Sequence, residues 1–388
     1  MPSDAVIFDL GGVVLSWDPR AAYERVLPAE EVATFLERVD FAGWNRLNDG
    51  GRSFEEAEQE LIARFPDDRE AILGYRVHFD ATLTGMVPGT SGILAELGQA
   101  GVRLIALTNW SAETFPLATE RFGILRRFEA IVVSGTEGLL KPDPALYQLA
   151  LDRHGLSADS TVFVDDIPAN VAAAATLGMA ALNFTDAERL RADLVGLGLL
   201  AEPQPISEAV FHVAERSVWA EAEASGRYPW SSRGVGYERE GFVHCSFADQ
   251  VPGIVMNHYA DLNPSELVVL EMDRDRLPIL VEDLGHGPYP HCFAELTPAD
   301  VLWTDNLPPR PVIEGVAGAV KDLIKAGRGE AVRHVRGGRR DHSASAPCST
   351  RTKRSATIGS RRSAAGHLTS RPMGMSTPQP RRRQLDGG

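Results

Sequence analysis
Cysteine is scarce in this sequence, with only Cys245, Cys292 and Cys348 among 388 residues. An odd and widely spaced set builds no disulfide framework, which predicts a chain suited to a reducing, cytoplasmic compartment. Long apolar runs are also missing. The longest uncharged stretch, Ile167 to Thr185, contains Pro168, Asn170, Gly178 and Asn183, so it reads as a helix, a turn and a strand, not a membrane span. The N-terminus has no basic region, and Asp9 interrupts its apolar stretch, so no signal peptide is expected. Finally, the glycine pair in "DAVIFDLGGVVLSWDP" does not open a helix. It runs into the β-prone Val13-Val14-Leu15, which excludes a nucleotide-binding fingerprint there and leaves Asp9 to be explained.

Charge is unevenly spread. Beyond residue 330 there are 13 Lys/Arg against 2 Asp/Glu and no Phe, Trp or Tyr, while the first 330 residues hold 26 basic and 51 acidic side chains. The tail, residues 331–388, cannot bury enough surface to fold and is expected to be disordered. The acidic remainder is a poor surface for nucleic acid, which could attach only non-specifically, through the basic tail.

What is present is a repeating α/β pattern. The runs "AVIF", "VRLIAL", "AIVV", "TVFV" and "MAALNF" are apolar on both faces and separated by helical patterns, which predicts buried parallel strands of a doubly wound sheet. About 80 residues, mostly helical in pattern, lie between the first two runs. That is too long for a simple crossover and predicts a helical cap at about residues 18–85, with Ser53 and Glu56 as a capping box before "FEEAEQELIARF". The expected organisation is an α/β domain over 1–198, a linker over 199–207, an α+β domain over 208–330 that closes with the amphipathic "VIEGVAGAVKDLIKAG", and the tail.

Chemistry in open α/β sheets gathers outside the carboxyl ends of the strands. Asp9 follows the first run there, Thr108-Asn109 the second, Lys141 the third across a short loop, and Asp165-Asp166 the fourth. Clustered carboxylates need a cation between them, and a hard oxygen set suits Mg²⁺. Such a site suits phosphoryl transfer: Asp9 attacks, while Thr108, Asn109 and Lys141 hold the phosphoryl oxygens. The same residues could also serve as ordinary strand-end and helix caps, or, for Lys141, as a solvated loop side chain.

On "FDLGG", "ALTNW", "LLKPDP" and "VFVDDIPAN", taken in that order, residues 1–198 resemble the haloacid dehalogenase superfamily. The resemblance implies that family's Rossmannoid core with a cap, and magnesium-dependent hydrolysis of a small phosphorylated metabolite, for example a sugar phosphate. It makes Asp9 the nucleophile and a metal ligand, Thr108 and Asn109 the phosphate binders, and Lys141 a catalytic charge clamp. Asp166 becomes a direct metal ligand, Asp165 lies behind it, and Gly11 contributes its carbonyl. True dehalogenases carry a Ser/Asn-containing fourth motif and need no metal. Gly11 stands where most phosphatases of the superfamily have an acid/base aspartate; a sugar-phosphate subgroup shares Asp-Leu-Gly. Loss of a general acid costs roughly 10² to 10⁴ in rate and favours anomeric or aryl leaving groups. Two alternatives stay open: a phosphate-binding sensor without turnover, and metal-independent hydrolysis at carbon. Trp17, Trp44, Asn45 and Asn48 fall in the flap and cap, where either substrate contact or packing would employ them.

In "EGFVHCSF" the alternation puts Phe242, His244 and Ser246 on one face and Val243, Cys245 and Phe247 on the other. Neighbouring His and Cys on a strand point apart, which argues against a zinc site at His244-Cys245 or His291-Cys292. Residues 208–310 resemble the domain of unknown function family 952, on "FHVAERSVWAEAEASGRY", "EGFVHCSFADQVPG", "LVVLEMDRDRL", "VED" and "YPHCF". Its order of elements also resembles the ADP-ribosyltransferase-like fold, where a His on the first strand helps to hold NAD. That likeness implies a pocket lined by His212, His244 and Ser246, with Glu282 and His291 nearby; the alternative is that these residues are satisfied within the core.

Overall fold
The computed structural model describes residues 4–307. The amphipathic stretch after Pro311 and the basic tail therefore lie outside the described residues.

Strands β1 (Ala5–Phe8), β4 (Arg103–Thr108), β5 (Ala130–Val133), β6 (Thr161–Asp165) and β7 (Ala180–Asn183) form one parallel sheet in the order β5-β4-β1-β6-β7. Two further strands, β2 (Leu15–Trp17) and β3 (Leu83–Met86), pair antiparallel as the neck of the cap. Alternation along β1 explains its all-apolar sequence. Val6 and Phe8 enter one buried cluster and Ile7 the cluster on the opposite face, so neither side meets water. The chain leaves β1 towards β4 on one side and returns through β6 on the other, which makes the end of β1 the switch point of the sheet.

The cap is built from the helices Ala29–Arg38, Phe41–Asp49, Phe54–Arg64 and Arg69–Val77. Ser53 starts the third, its hydroxyl accepting from the Glu56 amide at 3.2 Å, so the N-cap half of the expected capping box is formed. An aromatic cluster holds the helices together. Tyr75 sits at its centre, with ring centroids of Phe41, Phe79 and Trp44 at 5.0, 5.6 and 5.8 Å. Trp44 and Asn48 belong to this interior. Both are buried, and the Trp44 indole donates to the Ala57 carbonyl at 3.1 Å.

After residue 207 the fold turns β-rich. Ser246–Phe247, Val210–Glu215, Leu267–Met272 and Val301–Asn306 make a four-stranded antiparallel sheet, and Val243–His244, Pro288–Cys292 and Ile279–Asp283 a three-stranded one. The single strand expected over "EGFVHCSF" is thus two. It changes sheets at Cys245, so His244 pairs with His291 while Ser246 pairs with Phe211, and the alternation inferred from sequence stops at the crossing. This region is tied to the parallel-sheet unit by Arg127, which donates to both oxygens of Glu282 at 2.9 Å, and by Arg121 on Glu238 at 2.7 Å.

Candidate active site
The register of the sheet brings distant residues together. Phe8 lies opposite Ala106 and Val164, so Asp9 emerges just past the strand end beside Thr108 and Asp165. Lys141 reaches in from the loop after β5. Its ammonium is fully buried, 2.9 Å from Asp9 Oδ1 and 2.7 Å from Asp165 Oδ2. Asp165 is further held by the Ile167 amide at 2.8 Å and the Asn170 side chain at 3.0 Å, leaving it a buried and occupied carboxylate. Asp166, by contrast, is exposed.

Asp9, Asp165 and Asp166 each present an oxygen within 4.8 Å of the others. Burial pushes the Asp9 carboxyl up, Lys141 opposes the shift, and Asp165 adds to it. Asp166, though exposed at its outer side, is raised likewise by the partial desolvation of its carboxyl and by Asp165. Asp165 thus raises the carboxyls on both sides of it, and oxygen donors placed this way are a set that a hard cation relieves.

The glycine pair now divides into two different residues. Gly12 has φ +76°, and a Cβ there would lie 2.4 Å from Asp166 Oδ2, so the backbone must be bare for the carboxylate to come this close. A Cβ on Gly11 would meet nothing within 4 Å. The position is empty.

Asn109 does something the sequence did not suggest. Its side chain donates to the Lys141 carbonyl at 3.0 Å and accepts from the Lys141 amide at 2.9 Å, so it holds the lysine loop in place. Thr108 is buried at the end of β4. Above these residues lies a cavity of about 90 Å³. The core lines it with Gly11, Asn109 and Trp110, the neck with Trp17, and the cap with Asn45, Asp49, Tyr75 and Phe79. Trp17 and Asn45 thus face the cavity, whereas Trp44 and Asn48 pack. Asp49, Asn170 and the aromatic wall escaped sequence reasoning. An Asp followed by Gly-Gly reads as a helix stop, and only the closed cap turns it towards the core.

The second-region candidates are neighbours in the fold: His244 pairs with His291 across the three-stranded sheet, and their ring centroids lie 5.2 Å apart. His212 is buried with both ring nitrogens engaged, Nδ1 at 2.7 Å from the His244 carbonyl and Nε2 at 2.9 Å from the Tyr228 hydroxyl; burial lowers its pKa to about 4, so it stays neutral. Ser246 is buried too. Glu282 accepts from Arg127 and lies 3.0 Å from His291 Nδ1, and His291 stacks on Phe242 at 4.1 Å between ring centroids. His244 is the exposed member of the set.

Comparison with known proteins matches two segments of the chain. Residues 3–178 match the family model of haloacid dehalogenase-like hydrolases, and residues 213–304 match a family described as protein of unknown function, DUF952. A sesquiterpene phosphatase, astK, of Aspergillus oryzae is 29% identical over 47% of this chain and 90% of its own length. Phosphatase MT3486 of Mycobacterium tuberculosis is 32% identical, over 47% of this chain and 87% of its own. Among solved structures, a family enzyme of Bacteroides thetaiotaomicron in complex with magnesium and inorganic phosphate aligns with a TM-score of 0.39 at 16% identity, covering 47% of this chain and 95% of that one.

Proposed function
Since the chain belongs to the haloacid dehalogenase-like hydrolases and has phosphatase-named relatives, we propose that it is a magnesium-dependent phosphatase of small phosphorylated molecules. The observation that carries this reading is the convergence of Asp9, Asp165, Asp166 and Lys141 at one strand edge, beside a cavity that core and cap line together. We read residues 1–198 as the hydrolase unit and 208–330, of which 308–330 lie outside the described residues, as a second, α+β unit packed against it.

Asp9 and Asp166, with the Gly11 carbonyl, would hold Mg²⁺, and Asp165 would steady the set from behind. Bound there, the cation offsets the carboxylate charge and polarises the phosphoryl group. The protein does the rest. Asp9 Oδ attacks phosphorus, the P–O bond to the leaving group breaks, and an aspartyl-phosphate forms. Lys141 Nζ, the Thr108 hydroxyl and the Asn109 amide receive the charge that develops on the phosphoryl oxygens. Water then opens the aspartyl-phosphate. Trp17, Tyr75, Phe79 and Trp110 give the leaving-group side an aromatic wall, which favours an apolar alcohol and fits the relative named for a sesquiterpene substrate.

The test is phosphate release by the full chain from a panel of alkyl, aryl, terpenyl and sugar phosphates. Turnover should appear with Mg²⁺ and fall ~10-fold or more in EDTA. Activity that persists in EDTA, or hydrolysis of haloacids instead, would favour attack at carbon. A second measurement isolates the cation site. Gly12→Ala forces both a left-handed non-glycine backbone and a contact that Asp166 must vacate, so Mg²⁺ affinity by calorimetry should fall roughly 10 to 100-fold. Unchanged affinity would remove Asp166 from the ligand set.

A further inference from the structure
The geometry points to Asp49, on the cap, as the general acid and base of this active site, replacing the aspartate that Gly11 lacks; the assignment rests on the phosphatase reading above. Two observations converge on it. First, Gly11 opens onto empty space, and the cavity it lines is also lined by Asp49 from the opposite side. Second, Asp49 is firmly delivered there. It is the last residue of the helix Phe41–Asp49, whose end is fastened to both core loops: the Ser134 hydroxyl donates to the Asp49 carbonyl at 2.5 Å, and the Arg46 guanidinium to the Lys141 carbonyl at 3.3 Å. Asn45, one turn earlier, donates to Asp49 Oδ2 at 3.0 Å and fixes the carboxyl within the cavity.

The surroundings suit proton transfer near neutrality. Burial raises the Asp49 carboxyl to about 7, with the Ser111 amide and Arg46 offsetting only part of the shift. Its place at a helix C-terminus disfavours the anion further. The phenol of Tyr75 also faces it, and burial holds that group well above its ordinary value, so it remains neutral. A carboxyl with this balance can give a proton in one step and take one in the next.

The sequence of events conserves protons. As Asp9 Oδ bonds to phosphorus and the ester P–O bond breaks, protonated Asp49 gives its proton to the departing alkoxide, which leaves as the alcohol. The Asp49 carboxylate then takes a proton from the water that attacks the aspartyl-phosphate. The bond from phosphorus to Asp9 breaks, inorganic phosphate departs, and Asp49 is again protonated.

Leaving-group dependence separates this role from a structural one. A phenolate departs without help and an alkoxide does not, so kcat/KM should be compared for p-nitrophenyl phosphate and an alkyl phosphate in the Mg²⁺-loaded full chain. Asp49→Asn should lower the alkyl value ~10²-fold or more and the aryl value by less than ~10-fold. Gly11→Asp in the Asp49→Asn background should restore alkyl turnover, because a Cβ at Gly11 meets nothing within 4 Å. Equal losses on both probes, or an unaltered alkyl value, would overturn the role of Asp49 alone. A wild type that releases phosphate from neither probe would overturn the phosphatase reading, and this assignment with it.

Discussion

Asp9→Asn is expected to abolish phosphate release, by about 10⁴-fold or more, the scale on which loss of a covalent nucleophile acts. The substitution is nearly isosteric. Asp9 Oδ1 accepts from the Leu10 amide at 2.7 Å and pairs with Lys141 at 2.9 Å, and an amide oxygen can still accept both. Fold and cavity should therefore survive while the attacking anion is lost. Two readouts make the result specific. The wild type should form a phosphoryl or beryllofluoride adduct that the variant does not, and thermal melting should show the variant folded. A folded variant that still turns over would show that another group attacks, and the aspartyl-phosphate would have to be abandoned.

Lys141→Met is expected to damage stability and activity together. The buried ammonium is shared by Asp9 and Asp165, both nearly inaccessible, so its removal leaves two buried carboxylates without their ion-pair partner. Breaking a buried pair by deleting one member costs roughly 3 to 5 kcal/mol. The destabilisation should be larger in EDTA than in saturating Mg²⁺, because a bound cation takes over part of the neutralisation; denaturant titrations in the two conditions measure the difference. Turnover should fall ~10² to 10³-fold even where the protein is folded, since in the proposed reaction Lys141 also receives charge that develops on the phosphoryl group. Equal destabilisation with and without Mg²⁺ would place the cation away from these carboxylates.

Much of the site could be read from sequence because each core residue follows a strand whose burial is written in its composition. "AVIF" and "TVFV" are apolar throughout, parallel strands have their carboxyl ends on one edge, and so Asp9 and Asp165 had to meet. The cap was visible as an insertion too long for a crossover, and Ser53 as the start of one of its helices. The roles within the cap were not visible. Trp17, Trp44, Asn45 and Asn48 look alike as candidates, yet Trp17 and Asn45 face the cavity while Trp44 and Asn48 are interior. Helical periodicity gives a residue's face but not what that face meets. The second region was harder for a related reason. Strand alternation assumes that a strand stays in one sheet, and "EGFVHCSF" crosses between two, which sends Ser246 into the core beside Phe211 and leaves His244 outside.

The sequence by itself determined the doubly wound sheet, the order of its motifs and the absence of an acid at Gly11, because these follow from strand composition and from residues adjacent in the chain. Tertiary structure alone decided what stands opposite that gap. Docking of the cap through Ser134 and the Lys141 carbonyl brings Asp49, 38 positions further along the chain than Gly11, into the same cavity. It also showed that the two glycines are unlike: Gly12 is bare so that Asp166 can approach, and Gly11 is bare beside open space that a carboxyl from the cap overlooks. No local pattern encodes such a pairing, since it depends on packing between elements that the chain itself keeps far apart.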